Sequence, residues 1–99
     1  MIEKETMHAD AFHIRQAVPA DVKLILQFIQ KLGAYEKLSH EVVATEEKLH
    51  KTLFEQRMAE VIIGEYQGAP VGFALFFHNY STFLGQAGIY LEDLFVDPE

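Results

Sequence analysis

Residues 59–96, AEVIIGEYQGAPVGFALFFHNYSTFLGQAGIYLEDLFV, decide the fold. Three apolar runs, Ala59–Tyr66, Pro70–Asn79 and Ala87–Val96, are separated by turn-forming residues, which predicts three strands joined as a meander. Gly68 in Gln67-Gly68-Ala69 supplies the positive φ that a tight hairpin needs. In the middle run Phe73, Leu75 and Phe77 alternate with Ala74, Phe76 and His78. Both faces are apolar, so this strand is expected to be central and covered on both sides.

Upstream, Phe12–Val18 alternates as a short strand that Pro19 ends. Pro19-Ala20-Asp21 suits a helix start, because proline at the first helical position loses no needed N–H and Asp21 meets the positive end of the helix dipole. Val22, Ile25, Leu26, Ile29 and Leu32 recur at helical spacing, with Leu24 and Phe28 widening the stripe. The helix should run to about Gly33 or Tyr35 and be covered by a sheet and by a second helix. Thr45 can cap that second helix, with Glu46 and Glu47 in its first turn and Leu49, Leu53 and Phe54 on its apolar side. The order is β-α-α-β-β-β, an α/β arrangement with a mostly antiparallel sheet flanked by helices. Residues 1–11 have no hydrophobic period and are read as a flexible leader.

With 99 residues the chain has room for one core. Its 15 acidic and 8 basic residues give a net charge of −7, which argues against nucleic acid and anionic membrane surfaces and favours a cationic partner. Beyond Arg57 there is no basic residue, while Glu60, Glu65, Glu92, Asp93, Asp97 and Glu99 follow. There is no cysteine, hence no thiolate chemistry or Cys-based zinc site. The five histidines lack ligand spacing, so no metal is expected. No run approaches the length of a membrane span, and a cytoplasmic protein is the default expectation.

The chemistry-bearing residues are Glu92 and Asp93, adjacent carboxylates within an apolar strand. Strand alternation sends one toward a covered surface unless a β-bulge re-aims it. A buried carboxylate has a raised pKa, which suits a general base near neutral pH. The competing reading leaves one acid solvated and the other capping a loop or paired with Arg15. Tyr35 and Glu36, at the end of the first helix, fit either a functional connection or a packed ring beside a surface acid. His78, ending an apolar strand, reads as a rim or core residue rather than a catalyst.

Two phrases carry a family resemblance: Lys31-Leu32-Gly33-Ala34-Tyr35-Glu36-Lys37 and Tyr90-Leu91-Glu92-Asp93-Leu94-Phe95-Val96-Asp97-Pro98. With Ala69-Pro70-Val71-Gly72-Phe73, Ile14-Arg15 and Pro19-Ala20-Asp21, they make residues 12–99 resemble the N-terminal half of a GNAT-type N-acetyltransferase of the diamine (spermidine/spermine) acetyltransferase group. The resemblance implies transfer of an acetyl group from acetyl-CoA to a primary amine of a polyamine or lysine-like small molecule. It implies Glu92 as the catalytic acid–base group, Asp93, Glu36 and Tyr35 as contacts of the cationic acceptor, and the backbone of Leu94, Phe95 and Val96 as the cofactor-facing strand. A homodimer is implied as well.

In that family a loop that grips the CoA pyrophosphate follows this strand, and the sequence stops at Glu99 before it. A partial acetyltransferase, inactive alone, is therefore expected. The rival reading is a non-catalytic half-domain that associates through its exposed last strand.

Overall fold

The computed structural model describes residues 11–98. Of the segment read as a leader only Ala11 is described, and its carbonyl accepts a hydrogen bond from Gln67 N at 2.6 Å; the rest of that expectation lies outside the described residues.

The order is β1 (Phe12–Gln16), a 3-10 turn (Pro19–Asp21), α1 (Val22–Tyr35), a second 3-10 turn (Ser39–Glu41), α2 (Glu46–Leu49), a π-helical turn (His50–Glu55), β2 (Glu60–Tyr66), β3 (Ala69–Ser81) and β4 (Gln86–Val96). The four strands form one antiparallel sheet in the order β1-β2-β3-β4. This is the expected α/β architecture, with β3 internal. Thr45 caps α2 as its sequence suggests, its hydroxyl accepting from Lys48 N at 3.1 Å. Gln67 and Gly68 both have positive φ, 52° and 82°, and close the β2–β3 hairpin as a two-residue turn that follows the twist of its strands.

The core forms where α1 and α2 lie against the sheet. Val22, Ile25 and Phe28 of α1 meet Leu49, Leu53, Val61, Ile63, Phe73 and Phe95, all buried. Phe28 stacks on Phe73 with ring centroids 5.5 Å apart and packs at a tilt on Phe95 at 6.1 Å. Burying a side chain of this size contributes about 1.5–3 kcal/mol.

Ile63, Phe73 and Phe95 lie in one cross-strand row, and Ile62, Ala74 and Leu94 in the next. By pleat alternation the first row faces the helices and the second faces away. One expectation is corrected here: the described residues cover the sheet on one side only. Both helices share one face, while on the other Ile14 is 64% and Leu94 61% exposed beside a shallow apolar hollow of about 160 Å³. An apolar strand face records a demand for cover, and among the described residues no element lies over this one.

Two register shifts bend the sheet. Gly64 pairs with Gly72 and Glu65 with Pro70, leaving Val71 unopposed on β3. Leu75 pairs with Asp93 and Phe76 with Leu91, leaving Glu92 unopposed on β4. At Gly72 a Cβ would stand 2.6 Å from Phe95 O and 3.1 Å from Val96 Cα, so only glycine admits this approach of the two strands.

Candidate active site

The unopposed residue on β4 is Glu92, so the β-bulge that could re-aim one of the paired acids is present. Asp93, at the level of Leu75, is half-buried, and Glu92 is exposed. Glu36 follows the last turn of α1, where its backbone N–H donates to Leu32 O at 3.0 Å. Helix and bulge thereby bring together acids from two distant parts of the sequence. Burial pushes the Asp93 carboxyl above the usual aspartate value, and the negative charges of Glu92 and then Glu36 push it further the same way.

Arg15 does not balance this corner. Its guanidinium grips Asp21 with two hydrogen bonds, Nη1 to Oδ2 at 2.8 Å and Nη2 to Oδ1 at 2.9 Å, and its Nε donates to Glu65 Oε2 at 2.9 Å. The reading that pairs Arg15 with Glu92 or Asp93 is thus overturned. Proximity in the chain decides for Asp21, six residues on, and β1–β2 pairing delivers Glu65. Asp21, buried, also accepts from Val18 N at 2.8 Å. The Arg15 hydrogen bond holds its carboxyl below the usual range, against the opposing effect of burial.

Tyr35 ends α1 and is 77% exposed, which argues against the packed-ring reading and leaves the residue open to solvent next to Glu36. Further along β4, Leu94 and Val96 are 61% and 66% exposed while Phe95 is buried in the core. Phe95 therefore has only its backbone to offer. β4 pairs with β3 alone, and the backbone groups on its other edge have no strand partner among the described residues. Beyond it, Asp97 N donates to Val71 O at 2.7 Å and Lys31 Nζ reaches Asp97 Oδ2 at 2.7 Å, tying the strand end to β3 and α1. His78 lies on the rim, as its position suggests, with Nδ1 3.4 Å from Glu60 Oε2. Among the described residues no three His, Asp or Glu side chains converge to hold a metal ion. No helix among them is long and apolar enough to cross a membrane.

The sequence and the fold both have counterparts among known proteins. No family model matches the chain. The thialysine N-epsilon-acetyltransferase of Bos taurus is 41% identical over 87% of this chain and 55% of its own length. The L-ornithine N5-acetyltransferase of Arabidopsis thaliana is 28% identical over 92% of this chain and 60% of its own. A crystal structure of an aminoglycoside acetyltransferase from a soil metagenome, in complex with sisomicin, superposes with a TM-score of 0.72 at 20% identity, covering 91% of this chain and 59% of that one. The chain is similar in sequence to N-acetyltransferases and shares the fold of a solved acetyltransferase. It spans about half the length of the curated relatives it matches. Sequence pattern singled out both acidic segments as candidates. It missed the Arg15–Asp21–Glu65 network, whose only local signal is the short spacing from Arg15 to Asp21.

Proposed function

We propose that residues 12–98 form the amine-facing part of an acetyl-CoA-dependent N-acetyltransferase acting on a primary amine of a polyamine or lysine-like small molecule. The observation that carries this reading is the acidic corner: Asp93 is half-buried and titrates upward beside Glu92 and Glu36, and none of the three makes an ion pair with a Lys or Arg among the described residues. An ammonium ion is the complement such a corner lacks.

Acetyl-CoA, when bound, supplies the acetyl group as an activated thioester. The free edge of β4 fits an extended arm, since strand addition needs an unpaired backbone edge, and exposed Leu94 and Val96 flank it with apolar surface. Leu94, Phe95 and Val96 would hold the arm through backbone groups. An alkylammonium has no lone pair and must lose a proton before its nitrogen attacks a carbonyl carbon. The Glu92 carboxylate takes that proton, directly or through a water. Asp93 and Glu36 hold the cation in place, and Tyr35 walls the entrance at the end of α1. Backbone N–H groups on the open edge suit the negative charge that develops on the carbonyl oxygen.

The relatives' names favour an amino acid with a side-chain amine over a linear polyamine as acceptor. A second reading, association of two copies through β4, rests on the same free edge, along which Ile89 is 66% and Leu91 52% exposed. A calorimetric titration of acetyl-CoA into the chain, followed by acetylation assays with thialysine, ornithine and spermidine, tests the main reading. Binding near one per chain with amine turnover supports it. Turnover is read in a version extended to the relatives' full length, since this chain spans about half of it; binding there with no turnover of any amine overturns the assignment of the acidic corner, and a stable monomer of the chain in light scattering overturns the second reading.

A further inference from the structure

A second concave site lies at the other edge of the sheet, and its character is unlike that of the acidic corner. A groove of about 510 Å³ separates the β1–α1 connection, Gln16 to Pro19, from the end of the π-helical turn, Leu53 and Phe54. Val61 and Arg57 are among the residues that line it. The volume is that of a small-molecule cleft, and the lining mixes apolar side chains with a few polar groups, as such clefts do.

Two backbone irregularities converge there. The π-helical turn His50–Glu55 is a rare form that is frequent at functional sites. Arg57 then takes φ = 54°, a left-handed conformation suited to glycine or asparagine and strained for arginine. Hydrogen bonds on either side of it, Gln56 N to Lys51 O and Met58 N to Thr52 O, both 2.8 Å, fix that backbone without any help from its side chain. Folding therefore accounts for the conformation at position 57 but not for an arginine in it.

The guanidinium has no partner among the described residues either. Among the described residues no carboxylate lies within ion-pair distance of Arg57, whereas Arg15 is saturated by two acids. Lys23, Lys37, Lys48 and Lys51 are likewise unpaired, but neither the groove nor the apolar hollow on the open sheet face includes them in its lining. The one acid in the groove wall, Glu60, sits 3.4 Å from His78 Nδ1. A lone guanidinium with one acid nearby suits a monoanion and disfavours phosphates and dicarboxylates, and a planar fork matches a carboxylate.

We propose that this groove binds a small organic monocarboxylate, its charge on Arg57 and its apolar body against Leu53, Phe54 and Pro19. The proposal is independent of the acetyl-transfer reading. The test is a titration of the isotope-labelled chain with hexanoate, followed by amide NMR. Saturable shifts confined to Phe54, Ala59, Val61 and their neighbours are expected, with none for hexanamide, which has the same shape without the charge. Arg57→Asn, whose side chain tolerates the left-handed backbone, should keep its thermal midpoint and bind hexanoate at least about tenfold more weakly. Arg57→Lys, which keeps the charge and loses the fork, should fall between. Unsaturable shifts, equal responses to hexanoate and hexanamide, or unchanged binding in Arg57→Asn would each overturn the proposal.

Discussion

Asp21 and Asp93 are the same residue in two corners of one sheet, and their surroundings drive them in opposite directions. Asp21, at the start of α1, receives the two-pronged Arg15 guanidinium and the Val18 N–H, and its carboxyl is held below the usual range. Asp93, beside the β4 bulge, meets burial and two more acids, and its carboxyl is pushed above it. A carboxylate taken from water with its cation becomes a strut that joins β1 to α1. One taken from water among like charges keeps an unmet demand for a positive ligand.

The largest expected effect breaks the comparison at its functional end. In a version extended to its relatives' full length, Glu92→Gln should lower kcat/KM for the amine by about 10²- to 10⁴-fold, the range of a general base, with acetyl-CoA affinity unchanged in calorimetry. Equal losses in both would show that Glu92 shapes the strand rather than handling the proton.

Next in size, Asp21→Ala should destabilise the fold by about 1.5–3 kcal/mol in denaturant unfolding, because it removes charge-assisted hydrogen bonds and leaves Arg15 with Glu65 as its one acidic partner. Glu65→Gln, which spares the two-pronged contact, should cost less, about 1 kcal/mol or under. Equal costs would mean that the strut spans β1 and β2 rather than β1 and α1.

The pH dependence sharpens the contrast, since the two aspartates carry opposite signs. Asp21's folded pKa lies below the ordinary 3.8, so its contribution to stability is present above that value and is lost as pH falls through the folded pKa. Asp93's lies above 3.8, so its contribution is full below that value and is lost as pH rises through the folded pKa. Asp93→Asn is therefore expected to stabilise the chain at neutral pH and lose that advantage in acid, while Asp21→Asn does the reverse. Parallel stability curves from a pH series of unfolding experiments would remove the distinction.

The smallest effect is electrostatic alone. Glu36→Gln should move the Asp93 titration, followed by carboxyl-carbon NMR, back toward the ordinary range while burial and Glu92 still hold it above. An unmoved titration would take Glu36 out of the corner.

What the sequence disclosed follows from range. Strands, the Gln67-Gly68 turn, the Pro19 start and the Thr45 cap are written in neighbouring residues, and the structure has them within a few positions. The adjacent acids gave notice of a bulge, because an apolar strand cannot hide both. The bulge itself depends on β3, whose Leu75 and Phe76 pair around Glu92. The partner of Arg15 depends on β1–β2 pairing as well as on local spacing. Nor could alternation show that one sheet face is open, since it records the wish for cover and not the covering element. The π-helical turn after Leu49 escaped notice because its side chains keep a helix-like apolar spacing.

The absent methyl at Gly72 works as a gauge block. It sets how deep Phe95 O and Val96 can settle against β3, and so where the outer edge of β4 comes to rest. Because Lys31 and Val71 fasten the strand just beyond, the depth set on the inner side is carried across the width of the strand. An alanine there would shift the outer rim by some fraction of an ångström while the Phe28–Phe73 stack stayed closed. The dimension that matters to a guest on the rim is machined on the opposite side.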